Sequence, residues 1–371
     1  MAGGLQSELF AQRGFLPAED PAQKLDDPKI AMLDEIGHDL PSLLYKSDFR
    51  DFAEKLTIPA WPEDRASADD LPQMRLYYVR LGFIASAYIN QVGQPPSTRL
   101  PQNIARPLCD ITSRLDRPPV LSYDGYALYN WKRFDPAGPI ALGNIDTLQN
   151  FVHMYDEHWF ILIHVEIEAM AAAILAAAAK IQAALADGPK PESADAVTTA
   201  LREIAASVWR QVEVLRRIPE NMSPALYFST FRPYIRFFEG VVYEGVKQEP
   251  ANFRGETGAQ SSIMPALVAL MKIPHQPSML TNHLADMRNF MPAEHRGVLD
   301  EIESIPDFRG LPDRIVYNDV LNAMATFREI HLGWAQEYIN RWVDDPRGTG
   351  GTTYMHWLQQ LIDETRAHRL T

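Results

Sequence analysis

One cysteine, Cys109, stands in a chain of 371 residues. Alone it cannot close an internal disulfide, build a thiolate zinc site or supply the cysteine pair of a covalently tethered prosthetic group. Any bound metal must be held by His, Asp, Glu or an organic cofactor. Positive charge is also short, since 35 lysines and arginines face 48 aspartates and glutamates and leave a net charge of −13. That balance repels phosphate backbones and anionic lipid, so neither nucleic acid nor a membrane is an expected partner.

Several signatures are missing as well. HExxH, GxGxxG, Walker A and GxSxG are all absent, which removes support for a zincin, a dinucleotide enzyme, a P-loop enzyme and a serine hydrolase. Residues 1–15 lack the basic patch and apolar block of a signal peptide, and the expected location is the cytoplasm. The one stretch resembling a membrane span, 159–179, contains His164, Glu166 and Glu168. An acidic side chain there would cost about 2.5–3.5 kcal/mol at a bilayer centre, so the stretch reads as a buried helix. Its alanine-rich part, 171–179, suits close helix packing.

What is present points to a folded helical protein. Hydrophobic residues make up 46% and charged residues 22%, enough to bury a sizeable core. Apolar residues recur at three and four spacings, and segments of period two are few, so the predicted fold is all-α. The pattern predicts helices near 29–46, 69–92, 102–115, 156–186, 192–217, 258–272, 279–290, 292–304, 312–343 and 353–367. Asp187-Gly188-Pro189 should stop one helix before Ser193 or Asp195 caps the next. Residues 1–100 read as a small N-terminal helical domain and 101–371 as a large helical domain.

Ten histidines are the place to look for metal chemistry. Only one ExxH occurs, Glu35 to His38, and a di-iron bundle needs two with further glutamates. His38, His295 and His368 read as surface residues. His331 differs, because the predicted helix sets it among Met324, Phe327, Arg328, Trp334, Ala335 and Tyr338. It is either a core histidine satisfied by a hydrogen bond or a ligand with apolar surface and a cation beside it. Arg232 ends the aromatic run Tyr227-Phe228-Ser229-Thr230-Phe231. A guanidinium there either pairs with a structural carboxylate or forks onto the carboxylate of an aromatic acid. Gly348-Thr349-Gly350-Gly351-Thr352 is either a plain loop before a helix or a segment that closes over a site.

In their order along the chain these signals resemble the indoleamine 2,3-dioxygenase family. The likeness runs through Gly14-Phe15-Leu16-Pro17, 100–107, 118–123, Asn130-Trp131, Val165-Glu166-Ile167, Phe228 to Arg232, 240–245, 259–262, 286–292, His331 and 348–352. The resemblance implies haem b held by one proximal histidine, with His331 as the iron ligand and Arg328 on the proximal side. It implies that Arg232 binds the substrate carboxylate, that Phe228 packs on the indole side, and that Thr349 lies in a closing loop. Thr257, Gly258 and Ala259 match the segment along the distal pocket.

Three positions depart from the family pattern. Counting back four residues from Glu166 reaches Leu162, where a small serine is familiar; Tyr126 replaces a smaller residue; His158 falls near an aromatic pocket position. The implied activity is insertion of O2 across the indole C2–C3 bond of L-tryptophan or a related indole, giving N-formylkynurenine. An electron donor would keep iron ferrous, and the protein is expected to be a monomer. The rivals are a relative that performs a different haem oxidation on an indole amino acid, and a haem or tryptophan sensor without turnover.

Overall fold

A computed structural model describes residues 4–46, 48–277, 279–343 and 355–371. It is mostly helical, 58% helix and 5% strand. The helices are α1 Glu8–Arg13, α2 Met32–Leu44, α3 Phe49–Glu54, α4 Leu71–Ile89, α5 Gln102–Arg114, α6 Tyr155–Ala184 and α7 Ala194–Arg216. They continue with α8 Ile218–Asn221, α9 Pro224–Leu226, α10 Ile263–Leu270, α11 Met279–Arg288, α12 Ala293–Ser304, α13 Arg314–Tyr338 and α14 Met355–Ala367.

The centre is a layer of three long helices in which α7 packs against both α6 and α13. Asp156 and Glu157 in the first turn of α6 complement the positive end of its dipole. Its far end stops at Leu185, and Gly188, at φ +89°, turns the chain toward α7. α13 starts at Asp313, whose carboxylate accepts from the Ile315 and Val316 amides at 2.8 and 3.1 Å. By length and hydropathy α6 could cross a membrane, but it lies in the core, with Ala171, Ile174, Leu175, Ala177, Ala178 and Ile181 fully covered. The N-terminal helix α1 packs on it, α4 packs on α5, and α14 packs on α13.

Small sheets tie the segments between helices. β1 Arg99–Leu100 runs parallel to β4 Phe238–Tyr243, with Leu100 opposite Tyr243, and β5 Ala251–Phe253 runs antiparallel to β4. β2 Trp131–Arg133 pairs antiparallel with β3 Ile145–Thr147.

Three expectations change. The helix foreseen over 258–272 is a single turn at Gly258–Gln260 followed by α10, because Ser261 adopts extended backbone at ψ 140°. The helix foreseen to 343 ends at Tyr338, with one further turn at Asn340–Trp342. His295 and His368 are buried rather than on the surface. His295 shares a hydrogen bond with Ser262 Oγ at 3.1 Å and packs on the Phe15 ring at 4.9 Å. His368 donates from Nε2 to the Met271 carbonyl at 2.8 Å. The loop at 348–352, with Thr349, lies outside the described residues.

Candidate active site

On α6, Phe160, His164 and Glu168 recur every fourth residue and form one stripe. The Phe160 and His164 rings are 4.6 Å apart. Two wide turns, Asp124–Leu128 and Tyr227–Phe231, bring other aromatics to this stripe. Each is closed by a bond five residues long, Tyr129 N to Asp124 O at 2.8 Å and Arg232 N to Tyr227 O at 3.1 Å. Such turns accommodate an extra residue and re-aim the side chains around it. Tyr123, just before the first turn, meets His164 edge-on at 5.8 Å. Tyr227 and Phe231 meet Phe160 at 5.6 and 5.9 Å. Tyr227 also meets Tyr338 of α13 at 5.6 Å, so one tyrosine bridges the two helices.

His331 lies on α13 in the same region. The residue is exposed, yet the protein atoms crowded around its ring desolvate it and lower its pKa to about 4, with a further contribution from His164. Accessibility and enclosure agree when the ring borders an interior space. Its imidazole is neutral near pH 7 and has no hydrogen-bond partner among the described residues, which is the state a metal-ligating histidine requires. Among the described residues no three metal-ligating side chains converge. One neutral imidazole beside an interior space therefore fits a metal whose remaining ligands belong to an organic macrocycle.

Arg232 is only 7% exposed, and its guanidinium carbon lies 5.3 Å over the Phe228 ring. It also hydrogen-bonds the Tyr227 hydroxyl. Phe228 stacks on Trp342 at 5.9 Å, which backs this platform. A guanidinium so placed is held by aromatic surface and remains suited to a carboxylate.

Three buried glutamates surround the aromatics. Glu168 Oε1 accepts from Tyr123 at 2.8 Å and Ser261 at 2.6 Å, and burial pushes its pKa up to about 7. Glu157 accepts from the Tyr126 hydroxyl at 3.0 Å and from the Phe151 and Val152 amides, and burial pushes it up to about 7. Glu256 is 2% exposed and is pushed up to about 8 by burial, with the Tyr123, Tyr126 and Tyr227 hydroxyls in its field.

The residues singled out from sequence fall in different places. Tyr126 is fully buried against Phe83, Phe151 and Phe160. A Cβ added to Gly258 would meet nothing within 4 Å, so this residue borders open space. Thr257 accepts from the Ala259 amide at 3.4 Å and starts the adjoining turn. Arg328 is buried and donates to the Leu361 carbonyl at 2.9 Å and to Thr365, which ties α13 to α14. Leu162 is 2% exposed within the core, about 200° round α6 from Phe160. His158 shares its Nδ1 with Thr147 at 2.8 Å and Asp146 at 3.0 Å.

The sequence alone does not single out Phe160, His164 or Glu256 as site residues, and it offers Tyr227 only as part of an aromatic run. Counting back four residues from the buried Glu168, rather than from Glu166, reaches His164. That stripe was the available signal.

Fold and site together define an all-α protein with two neutral imidazoles in an interior aromatic region and a buried guanidinium at its side. A model of the indoleamine 2,3-dioxygenase family matches residues 6–342, and the chain belongs to that family. Indoleamine 2,3-dioxygenase 1 of Rattus norvegicus is 30% identical over 363 residues, covering 89% of this chain and 87% of its own. Indoleamine 2,3-dioxygenase of Saccharomyces cerevisiae is 28% identical, covering 97% and 92%. A protein named myoglobin from Haliotis madaka is 26% identical over 95% of both chains.

Proposed function

We propose that this protein is a haem b dioxygenase that inserts both atoms of O2 across the indole C2–C3 bond of L-tryptophan or a related indole, giving N-formylkynurenine. The observation that carries this reading is His331, neutral and enclosed yet bordering interior space. His331 would hold the iron, and the haem supplies the oxygen chemistry when bound. Arg328 fixes α13, and hence His331, by its bonds to α14. Arg232 takes the substrate carboxylate, with Phe228 supporting the guanidinium. Phe160 gives the indole an apolar aromatic surface, and Tyr126, Tyr227 and Phe231, packed against it from within the core, hold it in place. Gly258 leaves room beside the wall, with Thr257 and Ala259 lining the haem edge. Leu162 packs in the core on the other side of α6, and His158 ties that helix to Thr147 and Asp146. The protein acts as a monomer, and a separate electron donor keeps the iron ferrous.

The Haliotis madaka relative named myoglobin supports a second reading, oxygen binding without turnover. Incubation of haem-loaded protein with L-tryptophan, reductant and labelled O2 separates the two. Two labelled atoms in a ring-opened product support the dioxygenase; one labelled atom in a ring-intact product indicates a different oxidation; a stable oxygen adduct with no product supports the carrier.

A further inference from the structure

Of the three buried glutamates beside the aromatics, Glu157 and Glu168 each accept hydrogen bonds from the protein, whereas the Glu256 carboxyl accepts none among the described residues. The residue is only 2% exposed, yet its carboxyl oxygens are not among the sealed polar atoms of the core, so they open onto a narrow interior space. Two residues on, Gly258 borders open space. The backbone around Glu256 is clamped. Its amide donates to the Ile235 carbonyl at 3.1 Å, and a Cβ added to Gly255 would meet that same oxygen at 2.3 Å. Gln260 donates to the Gly255 carbonyl at 2.9 Å and accepts from the Tyr123 amide at 2.9 Å. A buried acid held this firmly and left without a partner costs stability, which a ligand supplying that partner recovers.

The Tyr227 hydroxyl joins this acid to Arg232, because it is hydrogen-bonded by the guanidinium and lies in the field of the Glu256 carboxyl. A cation and an acid thus flank one hydroxyl, and an α-amino acid carries its ammonium one carbon from its carboxylate. We infer that Glu256 takes the substrate's α-ammonium while Arg232 takes its carboxylate, which makes Glu256 a positioning residue that selects amino acids over other aromatic acids. The inference rests on the proposed reading that an indole amino acid is the ligand. In the free protein burial raises the Glu256 pKa to about 8, so the carboxyl holds its proton near pH 7. When the ammonium arrives, that proton leaves to solvent and the carboxylate pairs with the cation; no covalent bond of the substrate changes. The groups facing Glu256 are the Tyr123, Tyr126 and Tyr227 hydroxyls, with Glu168, Glu157 and Arg232 respectively bonded to them.

The test is calorimetric titration of haem-loaded protein near pH 7 with L-tryptophan and with indole-3-propionate, which keeps the ring and the carboxylate but lacks the ammonium. Each titration is run in two buffers of different ionisation heat, so that proton release is read directly. Wild type should release about one proton on binding L-tryptophan and none on binding indole-3-propionate, because a pKa of about 8 leaves the free carboxyl mostly protonated. Glu256→Gln should abolish the release and cut the preference for L-tryptophan over indole-3-propionate by about ten- to a hundredfold, the scale of one charge-assisted contact. Glu256→Asp, which keeps the charge, should restore part of the release. A merely structural role would weaken both ligands alike, and release that persists in Glu256→Gln would belong to Glu157 or Glu168; either result overturns the inference. Binding of L-tryptophan to wild type without proton release overturns it as well. If neither indole ligand binds wild type or perturbs its haem spectrum, the proposed substrate class itself fails, and the inference falls with it. Far-ultraviolet circular dichroism and haem content establish that each variant is folded and loaded.

Discussion

A Cβ added to Gly14 would sit 2.2 Å from the carbonyl oxygen of Glu168, so the N-terminal segment touches the backbone of the helix that carries the candidate site. Gly14 also has φ +61°, a conformation that strains any side chain. The same Glu168 holds Tyr123 and Ser261 through its carboxylate. Gly14→Ala should therefore lower stability by about 1–3 kcal/mol through overpacking and strain. Urea unfolding measures this, and an unchanged midpoint would mean that the segment moves freely off α6.

His331→Ala should abolish the Soret band of purified protein or leave weak, exchangeable haem. Full haem content with an unchanged ferrous carbonyl spectrum would remove His331 as the ligand. Cys109→Ser should leave the spectrum unchanged, since burial raises that thiol to about 11 and keeps it protonated.

Arg232→Ala should keep haem and lose L-tryptophan affinity by about thirty- to several-hundred-fold, the scale of a charge-assisted contact. Indole, which has no carboxylate, should bind both forms alike. Equal loss for both ligands would make Arg232 a support for Tyr227 and Phe228 only.

Glu256 gives a pH dependence with a definite sign. Its pKa is raised in the folded state to about 8, above the ordinary 4.5, so the folded protein favours the protonated form. The contribution is complete below pH 4.5 and is lost as pH rises through about 8. Glu157 and Glu168, both raised to about 7, act in the same direction. Melting temperature should fall between pH 5.5 and 8.5, and Glu256→Gln should reduce that slope. A slope identical to wild type would show that Glu256 reaches solvent.

His295 sets the opposite limit. Burial lowers its pKa to about 4 from an ordinary 6.5, so its contribution is present above 6.5 and is lost as pH falls through 4. His295→Phe, which keeps a ring between Phe10 and Phe15, should flatten the acid side of the stability profile. Retention of the full acid loss would place its cause elsewhere.

The long helices were legible because each buries one face and carries its own stop. Asp313 caps α13, and Gly188 separates α6 from α7. The three-stranded sheet was not legible, because β1 has two residues and meets β4 from far along the chain. His331 and Arg232 could be named from their aromatic surroundings, but the wall between them could not. Two wide turns break the helical period there, so Tyr227 rather than Phe228 meets Phe160. On α6 every face is apolar, and the stripe facing the site cannot be told from the stripe facing α7 by hydropathy. Leu162 follows from counting back from Glu166, whereas Phe160 and His164, in step with Glu168, meet at 4.6 Å beside the aromatic cluster.

The continuity of α6 also governs how the site opens. Phe160, His164 and Glu168 sit on the same unbroken helix as the covered run from Ala171 to Ile181. Amide hydrogen exchange along that helix should be slow and uniform, since its bonds break only when the whole core opens. This wall acts as the fixed jaw. Passage of a ligand must come from the opposite side, where Gly258 has open space on a single short turn closed by Gln260 N to the Thr257 carbonyl at 2.9 Å and Ser261 N to the Gly258 carbonyl at 3.1 Å. Exchange there should be orders of magnitude faster, and ligand binding should slow it while leaving α6 unchanged.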